Sequence, residues 1–259
     1  MLNAMGFLSL PQGEIEFGFW GEQHDEAPTL ILLHEGLGSL AMWRDFPEKL
    51  NQATRCRVFA FSRFGYGKST SVPLPRPLDY MEQEGEIVLP LIIDAAGIES
   101  FILFGHSDGA SISAVYAGHH SDPRCKGVIL MAPHFFTEAV GQESIARAKL
   151  AYETTDLRER LSRYHDDVDT AFWGWNGAWL DPGFESWNIK RYLPVIKVPV
   201  LIIQGEDDEY GTGRQLTAAQ NECIVPVEIA LLPGCGHSPH KDSLRETLKQ
   251  VSQFVEVIC

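Results

Sequence analysis

Four short, continuous apolar runs constrain the fold of this chain more than any other feature. They read TLILL, SFILF, GVILM and PVLII, and they begin at Thr29, Ser100, Gly127 and Pro199. Strands that are buried on both faces have this composition, as in a parallel sheet covered by helices. With three further β-type runs, the predicted strands span residues 14–20, 29–34, 58–62, 100–105, 127–131, 200–204 and 227–231.

Helical patterns separate these strands. Apolar residues at 81, 87, 88, 91, 92 and 95 predict a helix over 81–96, and a stripe of Leu244, Leu248, Val251 and Val255 predicts another over 242–257. Regular alternation of strand and helix is typical of crossover connections between parallel strands. The sequence therefore predicts an α/β fold with a doubly wound, mostly parallel sheet.

The segment 137–197 has no strand pattern. Residues 139–152 and 157–175 have helical patterns, and four of the six tryptophans lie in the segment: Trp173, Trp175, Trp179 and Trp187. We expect a helical cap of 137–197 inserted into an α/β core of 1–136 and 198–259; the alternative is a pair of ordinary crossover helices. We expect some of these tryptophans to line a substrate pocket and at least half to hold the cap on the sheet.

Charge and composition restrict the partners. The 259 residues carry 35 acidic and 21 basic side chains, a net charge of −14, which argues against nucleic acid and anionic membranes as partners. No apolar run approaches a membrane span, and the N-terminus lacks the pattern of a signal peptide. The five cysteines, in no C-x-x-C spacing, indicate free thiols in a reducing compartment. We expect a cytoplasmic protein with a small-molecule substrate; a homodimer is compatible with the sequence.

The strongest motif is GHSDG at residues 105–109. The apolar strand SFILF leads into it and the helical pattern ASISAVYAGHH follows it. In this context G-x-S-x-G predicts a nucleophile, Ser107, on a sharp turn, where Gly105 and Gly109 remove side chains that would collide. The alternative is a glycine-rich turn in which Ser107 only caps the helix.

A nucleophilic serine needs a positioned base, and nine histidines compete for that role. His237 lies in GCGHSPH, between the last predicted strand and the final helix, where such folds build their sites. His240 is the main competitor. His106 precedes Ser107 directly, and we expect its side chain to point away from the site.

The acid of a triad should lie between nucleophile and histidine in the chain. The strand PVLIIQ ends in GEDDEYG, so Asp207 or Asp208 could orient the imidazole. The usual G-x-x-D spacing favours Asp208. The alternative is that these carboxylates form a solvated acidic turn.

Four motifs in this order resemble the α/β-hydrolase superfamily over nearly the whole chain: HEGLGS at 34–39, SRFGYGKS at 62–69, GHSDG, and GEDD paired with GCGHSPH. Similar proteins include esterases, lactonases, C–C bond hydrolases and cofactor-free haloperoxidases. The resemblance implies an oxyanion hole made by the N–H groups of Gly36, or alternatively Leu37, and of Asp108. Glu35 stands where the family commonly has glycine, and we expect its carboxylate to turn away into a structural hydrogen bond. Members with an aspartate nucleophile are excluded by Ser107.

Together these features predict a serine hydrolase that acts on a small, apolar or aromatic carboxylic ester or lactone. The reaction would pass through an acyl-enzyme on Ser107, without a metal or organic cofactor. One alternative is hydrolysis of a C–C bond next to a ketone by the same residues. Another is a non-catalytic ligand-binding protein on the same fold.

Overall fold

The computed structural model describes residues 2–24 and 27–258, and its strands form an eight-stranded sheet. The strands are β1 (Leu2–Leu10), β2 (Gly13–Trp20), β3 (Thr29–Leu33), β4 (Val58–Phe61), β5 (Phe101–His106), β6 (Cys125–Met131), β7 (Val200–Gly205) and β8 (Val227–Leu232). Their order is β1-β2-β4-β3-β5-β6-β7-β8. All pairs from β4 to β8 are parallel, and only β1 and β2 are antiparallel to their neighbours. The predicted mostly parallel α/β sheet is confirmed.

Strand β1 was not predicted from the sequence. This strand lies at the edge of the sheet and pairs with β2 through a turn that ends at Gly13. Several of its large apolar side chains are exposed, with Met5 58% and Phe7 49% accessible, so it lacks the continuous buried run that identified the others. The turn residues Pro11 to Gly13 between two apolar stretches were the available signal.

Helices cover both faces of the sheet. The α-helices are α1 (Phe46–Thr54), α2 (Tyr80–Gln83), α3 (Leu89–Ala95), α4 (Asp108–His119), α5 (Ala139–Thr154), α6 (Leu157–Leu161), α7 (Val168–Trp179), α8 (Gly213–Glu222), α9 (Pro239–Asp242) and α10 (Leu244–Ile258). Short 3₁₀ segments span Leu40–Trp43, Pro182–Ser186 and Lys190–Val195. A π-helical turn, Glu84–Val88, joins α2 to α3, so the predicted helix over 81–96 is continuous but widened in the middle.

The helix predicted over 157–175 was wrong as a single element, because the chain breaks between α6 and α7. Asp167 caps α7 by accepting a hydrogen bond from Thr170 N at 3.0 Å. Just before it, the backbone N–H of Asp166 donates to Gly67 O, and Gly67 N donates to His165 Nδ1 at 3.0 Å. These contacts with a distant loop hold the break, and no local pattern encodes them.

The continuous apolar runs are explained by two hydrophobic clusters, one on each face of the sheet. Along β3, Ile31 and Leu33 belong to the cluster beneath α4, whereas Leu30 and Leu32 belong to the cluster that faces α1 and α10. Successive side chains of a strand point to opposite faces, so a strand covered on both sides has no polar alternation.

The strand order places a crevice at one edge of the sheet. After β3 the chain moves to β4 on one side, and it then returns to β5 on the other side of β3. The connections that leave β3 and β5 therefore diverge. Ligands of open α/β sheets bind at such a switch point, beyond the carboxyl ends of the strands. The loop His34–Gly38 and the turn at Ser107 both lie here.

Residues 137–197, called the β6–β7 insert below, connect β6 to β7 through α5, α6, α7 and two 3₁₀ segments. The division into a core of 1–136 and 198–259 and a cap of 137–197 stays a prediction, and residues 1 and 259 lie outside the described residues. In the described ranges no helix is long and apolar enough to cross a bilayer. Cys125, Cys223 and Cys235 are free thiols, and Cys259 lies outside the described residues.

Candidate active site

Ser107 lies on a strained turn between β5 and α4. Its φ of 54° and ψ of −118° are a conformation that L-residues rarely adopt. The turn is possible only because both flanking positions are glycine: a Cβ on Gly105 would overlap the carbonyl of Gly109, and a Cβ on Gly109 would overlap the carbonyl of Leu33. The serine hydroxyl is thereby held at the start of a helix, at the crevice.

Three side chains predicted from separate motifs form one hydrogen-bonded chain. Ser107 Oγ lies 2.9 Å from His237 Nε2, and His237 Nδ1 lies 2.8 Å and 3.0 Å from the two carboxylate oxygens of Asp208. Asp208 Oδ1 also accepts from Tyr210 N at 2.8 Å. Asp207, the alternative acid, is exposed, and its backbone N–H donates to Cys235 O. The structure thus brings Ser107, His237 and Asp208 together and leaves Asp207 aside.

The environment keeps Asp208 ionised. Burial by itself raises the pKa of this carboxyl, but the hydrogen bond and charge of His237, followed by the bond from Tyr210 N, outweigh it, and the net pKa lies below its usual range. An ionised carboxylate accepts the Nδ1–H proton of His237 and leaves the Nε2 lone pair directed at the serine hydroxyl. This is the arrangement that a general base requires.

Three more histidines surround His237. His134 lies with its ring 5.6 Å from that of His237, and burial lowers the pKa of His134 to about 3, so it is neutral. His240 packs edge-on against His106 and lies outside the hydrogen-bonded chain. The expectation that His106 points away from the site was wrong: its Nε2 lies 2.7 Å from the carbonyl oxygen of His237, because the His237 loop crosses the sheet beside it.

The loop His34–Gly38 follows β3 and faces the turn at Ser107. The N–H groups of Gly36 and Asp108 meet no acceptor among the described residues, and both residues line the same cavity as Ser107. The N–H of Leu37 is likewise open within those residues, whereas its carbonyl accepts from His165 Nε2 at 3.1 Å. A Cβ on Gly36 would overlap the indole of Trp175, which explains glycine at this position.

The Glu35 carboxylate makes a structural contact, as expected: its Oε2 lies 3.5 Å from the Nδ1 of the buried His106. Glu35 nevertheless lines the cavity, so the residue is not turned away from the site altogether. Burial acts to raise the pKa of Glu35, but the interactions with His106 and Lys241 outweigh it and hold the pKa well below its usual range. The side chain stays near the site because His106, with which it pairs, lies beside the His237 loop.

A cavity of about 240 Å³ opens at Ser107. Its apolar and aromatic walls come from Leu37, Ile145, Trp175, Trp179 and Tyr210, and its other lining residues are Glu35, Gly36, His106, Ser107, Asp108, His134, Gly141, Glu209, His237 and Ser238. Three residues were not identified from the sequence: Ile145 and Tyr210, which line the cavity, and His165, which contacts the Leu37 carbonyl. Tyr210 adjoins the acidic turn at Asp207 and Asp208, which was a signal for it. No local sequence pattern indicates Ile145 or His165.

Only two of the four predicted pocket tryptophans line the cavity. Trp175 and Trp179 are four residues apart and share one face of α7, whereas Trp173 lies on another face and packs edge-on against Tyr152. Trp187 stacks on Phe184 at 5.1 Å, and its indole N–H donates to Glu82 at 3.2 Å. The placement of Trp173 and Trp187 in the pocket is thus corrected: both pack within the protein.

The residues of this site do not suggest a metal centre. Among the residues that the structure describes, no group of three or more histidine, cysteine, aspartate or glutamate side chains is arranged to hold an ion. The histidines beside His237 are instead engaged with the protein, as His106 is with the His237 carbonyl.

Comparisons with known proteins agree with the fold. The family model of the alpha/beta hydrolase fold matches residues 28–153. A bifunctional esterase/perhydrolase of Acinetobacter calcoaceticus is 25% identical over 97% of this chain and 99% of its own. Among solved structures, proline iminopeptidase of Mycobacterium smegmatis superposes with a TM-score of 0.77 at 18% identity, covering 98% of both chains. An enol-lactonase of Burkholderia xenovorans reaches 0.74 at 21% identity, covering 97% of this chain and all of that one. From its fold, its motif order and these relatives, the chain belongs to the α/β-hydrolase superfamily, and it is a hydrolase.

Proposed function

We propose that this protein is a serine hydrolase that cleaves a small, uncharged carboxylic ester or lactone through an acyl-enzyme. The observation that carries the proposal is the hydrogen-bonded chain from Ser107 Oγ through His237 to Asp208, with 2.9 Å and 2.8 Å as its two links. A hydroxyl, an imidazole and a buried carboxylate in this order form the arrangement that activates a serine. It argues against a protein that only binds ligands.

In the proposed reaction Ser107 Oγ attacks the acyl carbon while His237 Nε2 takes its proton. Asp208 stabilises the imidazolium that forms, and His237 returns the proton to the leaving oxygen. The tetrahedral oxyanion would accept hydrogen bonds from the N–H groups of Gly36 and Asp108, each contributing roughly 3–4 kcal/mol to the transition state. Water, activated by the same histidine, then hydrolyses the acyl-enzyme.

The cavity supports a small substrate without negative charge. Its volume of about 240 Å³ lies below that of most drug-sized sites, and Trp175, Trp179 and Ile145 make one wall apolar. Apart from the proposed triad and Asp108, the charged side chains that line the cavity are the carboxylates of Glu35 and Glu209. Among the described residues, no lysine or arginine lines the cavity. A substrate carboxylate would be repelled, whereas a neutral acyl group fits.

The β6–β7 insert would act as a cap in this proposal, because the walls from Ile145, Trp175 and Trp179 come from it. The names of two relatives support an ester or lactone as substrate: one is an esterase/perhydrolase and another an enol-lactonase. Both names describe acyl transfer from oxygen, which is the chemistry that this triad supports.

A labelling experiment tests the proposal directly. The protein would be treated with a fluorophosphonate probe, digested and analysed for a modified Ser107, with Ser107→Ala as control. In parallel, p-nitrophenyl esters from acetate to octanoate and a five-membered lactone would be assayed. We expect labelling at Ser107 and hydrolysis of the shorter esters. A folded protein that neither takes the label nor hydrolyses any of these substrates would refute the proposal.

A further inference from the structure

We propose that Arg63 is a positioning residue that holds both halves of the oxyanion hole in place. This inference rests on the proposed function, since it concerns the same site. Arg63 is the second residue after β4 and the second of the SRFGYGKS motif, and its side chain is completely buried. It does not line the cavity, and its effect on the reaction would pass through Glu35 and Asp108.

The first half of the hole depends on the peptide between Glu35 and Gly36. Its carbonyl oxygen accepts three hydrogen bonds: from Arg63 Nη2 at 3.0 Å, from Gly38 N at 3.0 Å and from His34 Nδ1 at 2.7 Å. In a trans peptide the N–H points opposite to the carbonyl. Fixing the oxygen of Glu35 therefore fixes the N–H of Gly36, and a cation on the oxygen polarises the peptide so that its N–H becomes a stronger donor.

Arg63 also sets the protonation of His34. The backbone N–H of Arg63 donates to His34 Nε2 at 3.0 Å, which leaves the ring proton on Nδ1, the atom that faces the Glu35 carbonyl. Burial, followed by the charge of Arg63, lowers the pKa of His34 well below its usual range, so the ring is neutral. The backbone and the side chain of one residue thus hold the same carbonyl.

The second half of the hole is the N–H of Asp108. The Asp108 carboxylate is fully buried and lies 4.0 Å from Arg63 Nη2. It accepts hydrogen bonds from the Tyr80 hydroxyl and, at 3.3 Å, from Trp179 Nε1. The same nitrogen of Arg63 thus faces the loop that offers one oxyanion donor and the side chain of the residue that offers the other.

Stability alone is a poor explanation for this arginine. Its Nε and Nη1 atoms are buried without a hydrogen-bond partner among the described residues. Burial acts to lower the pKa of Arg63, but Tyr66, Glu84 and Asp108 outweigh it and the net pKa is raised, so the charge persists. A buried and incompletely paired charge usually destabilises a fold relative to an apolar side chain. Departures of this kind concentrate at functional sites.

The test compares Arg63→Met with Arg76→Met. Arg76 is also buried and paired, through Phe64 O at 2.6 Å and Glu84 at 3.6 Å, but it contacts neither Glu35 nor Asp108 by a hydrogen bond. For each folded variant we would measure kcat and KM with p-nitrophenyl acetate, Ki for butylboronic acid and the rate of labelling by the fluorophosphonate. Thermal unfolding would report structural damage.

We expect Arg63→Met to lower kcat and the labelling rate and to raise the Ki of the boronic acid, each by about 10- to 100-fold. KM should change less than about threefold. Arg76→Met should lose stability with kcat changed less than about threefold. Arg63→Lys keeps the charge but cannot offer the planar fork, so it should recover part of the loss. If Arg63→Met does not fold, Arg63→Lys serves as the test variant, and its kcat and labelling rate should fall by about tenfold.

Equal kcat, Ki and labelling rate in a folded Arg63 variant and the wild type would overturn the role of Arg63 while leaving the proposed function intact. A loss confined to KM or to stability would overturn it as well. If the wild-type protein takes no label and hydrolyses no ester, the proposed function fails instead, and this inference fails with it.

Discussion

The proposed triad and the apolar wall of the cavity are built from different parts of the chain. Ser107, His237 and Asp208 lie on connections of the sheet, each at the end of a strand or just beyond one. The wall formed by Ile145, Trp175 and Trp179 comes from helices of the β6–β7 insert. Strand ends are placed by the hydrogen-bonded ladder, whereas the helices are placed only by side-chain packing. Motifs therefore predict the first region well and the second poorly.

This contrast has a functional counterpart. Variants of the triad should reduce turnover of every substrate to the same extent, because they act on the bond-making steps. Variants of the insert wall should act on the acyl group and depend on its length. The loop His34–Gly38 lies between the two regions, since Arg63 holds it from the sheet and His165 holds it from the insert.

The largest effect should come from Ser107→Ala. Removal of the nucleophilic hydroxyl should lower kcat by about 10⁶-fold for every ester, as complete loss of a serine nucleophile does elsewhere. The turn should persist, because its strained conformation depends on Gly105 and Gly109. Steady-state kinetics and thermal unfolding measure the two effects. Substantial hydrolysis by a folded Ser107→Ala protein would refute the serine mechanism. It would also refute the proposed division of roles between the triad and the wall of the insert.

Asp208→Asn should follow, with a loss of about 10⁴-fold in kcat, because the amide favours the wrong tautomer of His237. Asp207→Asn, one residue away and exposed, is the matched control and should stay within about threefold. Both variants would be assayed with acetate and octanoate esters. A larger loss in Asp207→Asn, or a loss in Asp208→Asn that depends on chain length, would contradict the assignment of the acid.

A smaller, length-dependent effect should come from Trp175→Ala. Removing the indole enlarges the cavity, so kcat/KM for longer acyl chains relative to acetate should rise by about 10-fold. Trp173→Ala on the same helix is the control, because Trp173 faces away from the cavity and its loss should lower only stability. If the two variants shift the preference equally, the wall is not the determinant of chain length.

The smallest effect concerns pH and stability. Burial lowers the pKa of His134 to about 3, so the folded state resists a proton that the unfolded chain binds below about pH 6.5. His134 therefore destabilises the fold progressively as the pH falls from about 6.5 towards 3, and its contribution is constant above that range. His134→Asn should flatten the pH dependence of Tm by a few degrees per pH unit between about pH 6.5 and 3, because each pH unit in that range costs the fold about 1.4 kcal/mol. If the dependence of Tm on pH is the same in His134→Asn as in the wild type, His134 is not the source of the acid destabilisation.

Some features were within reach of the sequence because they depend on local chemistry. The doubly buried strands follow from runs such as TLILL, and the turn at Ser107 follows from two glycines that alone fit its crowded backbone. The edge strand β1 was missed because apolar side chains such as Met5 and Phe7 are exposed, and only Leu8 and Leu10 pack on the core, which gives a weak pattern. The break between α6 and α7 was missed because Gly67, about 100 residues away in the chain, holds it.

The sequence by itself determined the parallel sheet, the sharp turn and the candidates for nucleophile, base and acid, because strand burial and turn sterics act over a few neighbouring residues. Only the tertiary structure decided that Asp208 rather than Asp207 faces His237, that Trp175 faces the cavity while Trp173 does not, and that Arg63 meets the Glu35 carbonyl. These outcomes depend on how whole helices and loops pack against the sheet. Such packing is the sum of many weak contacts between residues far apart in the chain, which no short pattern records.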